Sequence, residues 1–398
     1  ITDNRNPLKT LPWIIVLVLA PVVGLVFYFF FGQNLSKQRI ISRRMRKRIT
    51  LQLEEVEHAA GPEIPKAYRP LARLLRTTSH AVPLYGSRIT PYTDGSSKME
   101  ALLGEIARAQ HHIHLQYYIF CDDETGRRLR DALVEKARQG VHVRILYDDV
   151  GCSGVRKSFF EGMRREGIEE HAFLHVKFPR FTSKVNYRNH RKIVVIDGRV
   201  GFIGGMNIAD RYVRGTEWGS WRDTHFRIEG SGVAGLQVAF LSDWSATTKR
   251  HVSGSEYFPA AQRYTDNILQ IVAGGPLGKW RALLQADSYA VANARRRVWI
   301  QTPYYLPSDV LNTALQTAAL GGIDVRLMLP ARSDSRLIDL ASHSYLDDMM
   351  RAGVKILFYE PGFLHSKLLI IDDGLTVIGS ANMDFRSFEH NFEVNAFI

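Results

Sequence analysis

His190-Arg191-Lys192-Ile193-Val194-Val195-Ile196-Asp197 and His365-Ser366-Lys367-Leu368-Leu369-Ile370-Ile371-Asp372 decide how this chain is read. Both spell His-x-Lys-x4-Asp, with an apolar run between Lys and Asp. Downstream, Gly204-Gly205-Met206-Asn207 answers Gly379-Ser380-Ala381-Asn382, and 17 residues separate His from Asn in each copy. A single His-x-Lys carries little information. Four residue types repeated at fixed spacing are a specific signal.

The spacing has a direct physical reading. Side chains alternate along a strand, so His and Lys at i and i+2 share a face. Asp197 and Asp372, at i+7, fall on the other face at the strand end, where they are better placed to fix a turn than to do chemistry; as members of the repeated motif they are still grouped with His190, Lys192, His365 and Lys367 as the candidate catalytic residues. Gly205 and Ser380 close the next strand and would let a ligand approach the backbone. Asn207 and Asn382 add amide donors. Two such halves facing each other offer two imidazoles, His190 and His365, and two ammonium groups, Lys192 and Lys367. That donor set suits a phosphodiester, whose oxygens need stabilising as charge builds up.

The flanks of the motifs repeat as well. Met99–Gln110 reads as a helix with Leu102, Leu103, Ile106 and Ala109 on one face, Ile113–Ile119 as a strand, Thr125–Gln139 as a helix and Val141–Tyr147 as a strand. The second half gives a strand Ile300–Tyr305, a helix from Asp309 to Leu320, and Ile323-Asp324-Val325-Arg326 matching Val141-His142-Val143-Arg144. Helices alternating with apolar strands imply a helix-covered sheet in each half.

Hydrophobic residues make up 45% of the 398 and charged residues 23%, which excludes a disordered chain and a polytopic membrane protein. Two cysteines, Cys121 and Cys152, exclude a disulfide-stapled scaffold. The formal net charge of +12 points to an anionic partner. Seven of those charges (Lys37, Arg39, Arg43, Arg44, Arg46, Lys47 and Arg48) follow one another without an intervening acid. They come just after Leu11–Phe31, 21 residues without a charge. At about 1.5 Å per residue that run spans a bilayer core, with Trp13 and Tyr28 near its ends. It is too long for a signal peptide, and the heavy charge lies after it. The positive-inside rule places the basic segment and the body in the cytoplasm, with residues 1–10 outside.

Other chemistries fit less well. Asp122-Asp123 and Asp148-Asp149 are adjacent pairs and read as turn or lobe-interface residues, with a pocket-lining place the alternative for Asp148-Asp149 at a strand end. His111-His112-x-His114 lacks cysteine partners, and His171 with His175 lacks the Glu of a helical zinc motif. No metal site and no cofactor are expected. No glycine pair is followed by Lys-Ser or Lys-Thr, so ATP is not expected. Trp218, Trp221 and Tyr212 could stack bases in a nuclease, but read better as core or lipid-facing.

These motifs, with Tyr117-Tyr118-Ile119, Asn189-His190-Arg191-Lys192, Gly204-Gly205-Met206-Asn207-Ile208 and Gly379-Ser380-Ala381-Asn382-Met383-Asp384, resemble the phospholipase D superfamily over about residues 86–398. With the N-terminal apolar and basic segments, the chain resembles the bacterial cardiolipin synthases of that superfamily. The resemblance implies an α/β fold: two similar lobes with the active site between them, preceded by an N-terminal transmembrane helix. The corresponding segments are residues 1–10, 11–31, a connecting region 32–85, a first lobe 86–254 and a second lobe 255–398. The first residue, Ile1, and the close of the chain five residues after Glu393 both read as cut ends, with Asn391–Ile398 a last strand lacking cover. The resemblance further implies a phosphohistidine on His190, with His365 as the acid. Lys192, Lys367, Asn207 and Asn382 would hold the phosphate oxygens. Each His would be oriented by a carboxylate further along its own half: Glu393, 28 residues after His365, and Asp223, preferred over Glu217, in the first half. The expected reaction condenses two phosphatidylglycerol molecules into cardiolipin and glycerol at the bacterial inner membrane. Hydrolysis and a tethered nuclease are the alternatives. Anionic lipids are the expected partners, and nucleic acid is not.

Overall fold

A computed structural model describes residues 7–28, 61–175 and 186–398. The sequence grammar of the first half is realised locally. Asp94 accepts from Ser97 N (2.8 Å) and starts the helix Gly95–Arg108, which buries Leu102 and Ile106. Asp123 accepts from Gly126 N (2.9 Å) and starts the helix Glu124–Arg138. Both are side-chain N-caps, which satisfy amide groups the helix itself leaves unpaired.

In chain order the strands of this half are β1 (Leu84–Tyr85), β2 (Arg88–Tyr92), β3 (His112–Tyr117), β4 (His142–Asp148), β5 (Glu169–Phe173), β6 (Ile193–Ile196), β7 (Val200–Gly204), β8 (Ser220–Arg222) and β9 (His225–Glu229). Those of the second half are β10 (Ile268–Gly274), β11 (Arg297–Gln301), β12 (Tyr305–Leu306), β13 (Asp324–Pro330), β14 (Lys355–Tyr359), β15 (Gly362–Leu364), β16 (Leu368–Ile371), β17 (Leu375–Gly379), β18 (Met383–Asp384) and β19 (Glu393–Phe397).

Two sheets result, and they match strand for strand. The first runs β2-β9-β7-β6-β3-β4-β5; the second runs β10-β19-β17-β16-β11-β13-β14, with β1 added beside β10. In both, the pairs around the helical crossovers are parallel (β3 with β4, β11 with β13) and the pairs carrying the motifs are antiparallel (β6 with β7, β16 with β17). The duplicated sequence is thus a duplicated sheet.

The strand read as Ile300–Tyr305 is two, β11 ending at Gln301 and β12 beginning at Tyr305, and three further features differ from the sequence reading. β19 is an interior strand, paired with both β10 and β17, and all five of its residues are buried. The stretch read as a connector supplies β1 and the helix Arg69–Ser79, whose Leu71 and Leu75 pack into the second lobe. The apolar N-terminal run is not one helix. It breaks at Ala20 between the helices Pro7–Leu19 and Pro21–Phe27. Pro21 has no N–H to continue the first helix but suits the first turn of the second. The two pieces fold back on each other, with the Trp13 and Tyr28 rings 5.4 Å apart rather than at opposite ends of a rod. Among the described residues no helix is long and apolar enough to cross a membrane. Phe29–Phe31 and the basic cluster Lys37–Arg48 lie outside the described residues.

A shared core joins the lobes. Ile193, Val195, Ile203 and Ile228 of the first sheet meet Leu269, Ile271, Ile378, Val394 and Ala396 of the second. The helix Gly232–Thr248 lies between them, buried along most of its length. At about 1.5–3 kcal/mol for each fully buried aliphatic side chain, this core is large enough to hold the lobes in one arrangement. The functional site depends on that arrangement.

Candidate active site

Both His-x-Lys segments lie just before a regular strand, since β6 begins at Ile193 and β16 at Leu368. Strand alternation within a ladder is therefore not what positions them. Each is fastened to the opposite lobe. His190 N donates to Phe392 O (2.9 Å), and Phe392 N donates to Arg188 O (2.8 Å). In the mirror arrangement β15 runs parallel to β8, and His365 N donates to Arg222 O (2.7 Å). In both cases the carbonyl that holds a histidine belongs to the residue just before a carboxylate, Glu393 or Asp223.

The imidazoles follow the same crossing. His190 Nδ1 lies 3.0 and 3.1 Å from the Glu393 carboxylate oxygens, and His365 Nδ1 lies 2.6 Å from Asp223 Oδ2. Glu393 therefore serves the histidine of the other half, not His365, and Asp223 serves His365. Sequence spacing within a half gives the right carboxylates with the pairing exchanged. Glu217 is exposed and takes no part. With Nδ1 held by a carboxylate, Nε2 is the atom left to react in each ring, as a lone pair on His190 and as the proton-carrying atom of His365.

Burial sets the electrostatics. Glu393 and Asp223 are fully buried, as is Lys192, and Lys367 is nearly so. Burial depresses the pKa of His190, with partial compensation from Glu393. It depresses His365 further, and the nearby Lys367 and Lys192 charges add to the effect. Burial lowers Lys192 to about 7 and Lys367 to about 8. Asp223 is pushed up to about 6 by burial, against the pull of Lys367. Burial would raise Glu393 too, but His190 and Lys192 outweigh it and hold the carboxyl below its ordinary value. Two carboxylates and two lysines nearly balance, so an arriving diester brings charge for one more proton.

The lysines reach their own motifs. Lys192 Nζ donates to His190 O (2.6 Å), and Lys367 Nζ donates to His365 O. Asn207 gives one amide hydrogen to Tyr212 Oη (2.6 Å), and Asn382 gives one to Asp384 Oδ2 (3.2 Å). Each amide keeps a second hydrogen.

Gly205 and Ser380 do not open the backbone to a ligand. A Cβ on Gly205 would lie 2.2 Å from Asp223 Oδ1, so its bare backbone admits the orienting carboxylate. Ser380, at the equivalent place, donates its hydroxyl to Glu393 Oε2. Asp197 and Asp372 stand apart from the imidazoles. Asp197 accepts from the amides of Gln110, His111 and His112 (2.8–2.9 Å), and Asp372 from those of Arg295, Arg296 and Arg297 (2.8–3.1 Å). They clamp the start of β3 and β11. Grouping them with the reacting residues is corrected by that geometry.

Other candidates also find structural partners. Asp148 is buried and receives Asn189 N (2.9 Å), bracing the residue before His190. Asp123 caps a helix, and Asp122 pairs with Arg127 (2.7 Å). Gln237 bonds both His112 (3.2 Å) and His114 (2.7 Å). His171 packs on Trp244, and His175 pairs with Asp149 (3.1 Å). Tyr212 and Trp221 form a small core with Phe363, and their rings lie 5.8 and 5.3 Å from that of His365. The sequence reading missed Tyr118, whose ring lies 5.0 Å from that of His190. It also missed Arg191, which bonds Asp243 (2.6 Å) in one lobe and Gly274 O (2.8 Å) in the other. Its place between His190 and Lys192 was the available signal.

Comparison with known proteins places the chain in a family. The family model described as "Cardiolipin synthase, PLD-like domain" matches residues 102–221 and 289–398, one segment in each lobe. The cardiolipin synthase of Geobacillus thermodenitrificans is 43% identical over 404 residues, covering 100% of this chain and 80% of that protein. The chain belongs to the cardiolipin synthase family of phospholipase D-like proteins. The major cardiolipin synthase ClsA of Bacillus subtilis, another family member, is 38% identical over 408 residues, covering 100% of this chain and 85% of its own. A second model, "Phospholipase_D-nuclease N-terminal", matches residues 1–33, which include the apolar run Leu11–Phe31 of this chain. In fold, the chain is similar to the phosphatidylserine synthase of Haemophilus influenzae, with a TM-score of 0.62 at 14% identity over 83% of this chain and 86% of that one.

Proposed function

We propose that this protein is a cardiolipin synthase: it moves a phosphatidyl group from one phosphatidylglycerol to another, forming cardiolipin and glycerol. The observation that carries the reading is the crossed imidazole pair, with each Nδ1 tied to a carboxylate of the opposite lobe. The full-length similarity to cardiolipin synthases selects the lipid reaction among phosphodiester chemistries.

His190 Nε2 attacks phosphorus. The bond to the glycerol oxygen breaks, and His365 gives its Nε2 proton to that oxygen. The second lipid then enters; its hydroxyl passes a proton to His365, its oxygen bonds phosphorus, and the P–N bond breaks. Both rings return to their starting state. The covalent step divides one difficult displacement into two easier ones. Glu393 stabilises the positive charge that His190 acquires, and Asp223 orients His365 so that its Nε2 gives a proton as the imidazolium and takes one back as the neutral ring. Lys192 and Lys367, with the spare amide hydrogens of Asn207 and Asn382, take the non-bridging oxygens. One phosphodiester replaces another, so no nucleotide is consumed.

Membrane attachment fits the N-terminal helices, where Val18, Leu19 and Val22 are each more than 70% exposed. Such a surface is stable against lipid rather than water. The basic segment Lys37–Arg48 supplies charge for anionic headgroups on the cytoplasmic side of the inner membrane.

The test uses membranes containing the full chain, labelled phosphatidylglycerol and no added nucleotide. Cardiolipin plus glycerol, lost in His190→Ala and His365→Ala, is the expected result. Phosphatidic acid as the main product would make the protein a hydrolase. No lipid turnover by folded protein would overturn the reading.

A further inference from the structure

The two halves share one more residue that the reaction described above does not use. Arg211 follows His190 by 21 positions, and Arg386 follows His365 by 21. Each is the second residue of a short helix, Asp210–Arg214 or Phe385–Glu389, and both are exposed. Many surface arginines of this protein pair with carboxylates, among them Arg127, Arg128, Arg138 and Arg214. Among the described residues no carboxylate lies within ion-pair distance of Arg211 or Arg386.

Their positions are crossed like the rest of the site. The Arg211 guanidinium carbon lies 5.5 Å from the centre of the Tyr212 ring and 5.3 Å from that of Trp221. Both rings touch His365. Arg386 Nη2 lies 3.4 Å from Asn186 O, four residues before His190, and its charge reaches Tyr118 beside that ring. One guanidinium without a counter-ion therefore flanks each imidazole, supplied in each case by the opposite lobe. The charge on Arg211 also opposes protonation of His365. A positive group beside the proton-carrying histidine is a cost that a bound anion would cancel.

The proposed reaction supplies that anion. The nucleophile and the leaving alcohol lie on opposite sides of phosphorus, so glycerol departs and the second lipid enters on the His365 side. The acceptor carries its own phosphodiester, a few bonds beyond the attacking hydroxyl. Lys192 and Lys367 already serve the donor phosphate. We infer that Arg211 binds the phosphodiester of the acceptor lipid. Arg386 stands on the His190 side, where no alcohol enters. The inference rests on the functional reading above and extends it to recognition of the acceptor.

The test compares two outcomes of one phosphohistidine in membranes of the full chain. One is cardiolipin, from an anionic acceptor. The other is incorporation of labelled free glycerol into phosphatidylglycerol, from an uncharged acceptor. Arg211→Gln is expected to lower the ratio of cardiolipin to glycerol exchange about tenfold, the effect of losing one phosphate contact of about 1.4 kcal/mol. Arg211→Lys should restore part of it, and Arg386→Gln should leave the ratio unchanged. An unchanged ratio in Arg211→Gln would overturn the inference, as would an equal fall in Arg386→Gln, which would mean general surface charge. If the unmutated protein makes neither product, the functional reading itself fails and the inference with it. That result is distinct from an active enzyme whose ratio does not respond.

Discussion

His365 Nδ1 lies 2.6 Å from Asp223 Oδ2, although Asp223 comes 142 residues earlier and belongs to the other lobe. The reciprocal pair, His190 and Glu393, is 203 residues apart and separated by 3.0 Å. Neither lobe holds a complete imidazole–carboxylate pair. Each contributes an imidazole and the carboxylate that orients its partner's imidazole. The shared core between the sheets is consequently part of the active site's geometry.

Gly205 should be intolerant of any side chain. A Cβ there would sit 2.2 Å from Asp223 Oδ1, and the carboxylate must move to admit it. A shift of about 1 Å in a positioning group can cost about a hundredfold in rate. Gly205→Ala should therefore lower kcat by about that factor. Ser380→Gly, which only removes a hydroxyl donor to Glu393, should cost less. Steady-state rates of the two variants check the order, and equal rates would contradict it.

The pH profile of kcat/KM should be narrow. His190 must be neutral to attack, and burial holds its pKa below the ordinary 6.5, so the acid limb falls below that pH. Lys192 and Lys367 must be charged to hold the diester, and burial brings them to about 7 and about 8. Activity should fall as pH rises through that interval, far below the range of an exposed lysine. Rates measured with subsaturating lipid report these free-enzyme values. A flat profile between pH 7 and pH 9 would contradict the buried-lysine account.

Asp287 predicts a stability effect outside the site. It is buried in the helix Ala282–Ala292, its Oδ1 has no partner among the described residues, and burial pushes its pKa from 3.8 to about 8. The folded protein keeps this proton up to about pH 8, while the unfolded chain loses it near 3.8. The unfolded state thus binds fewer protons between those values, and stability falls as pH rises through them. Asp287→Asn should melt above the parent protein at pH 9 and close to it at pH 4. Thermal unfolding at the two pH values checks this.

Much of the fold and of the site is legible in the sequence because it depends on local spacing. The duplicated His-x-Lys-x4-Asp, the matched Asn residues and the helix–strand alternation all map onto matching sheets. The helix Asp309–Leu320 falls where its pattern places it. What the sequence does not carry is which lobe a side chain meets. Glu393 follows His365 closely in the chain, yet the interface delivers it to His190. Gly205 reads as an opening for ligand because a missing side chain says nothing about what fills the space. Asp197 and Asp372 belong to the repeating pattern, but the pattern is as much a turn signature as a chemical one. The N-terminal run is apolar enough for one span, but Pro21 breaks the hydrogen-bond ladder that hydropathy does not register.

The most direct test of the crossed pairing uses a phosphodiester whose leaving group needs no proton, such as a p-nitrophenyl ester. Departure of that group bypasses the acid, so the release burst from His365→Ala and Asp223→Asn should remain near that of the parent protein. His190→Ala and Glu393→Gln should abolish the burst, because attack on phosphorus itself is impaired. That grouping, Asp223 with His365 and Glu393 with His190, is the predicted result. If Asp223→Asn instead behaves like His190→Ala, and Glu393→Gln like His365→Ala, each carboxylate serves its own half and the crossed site is wrong.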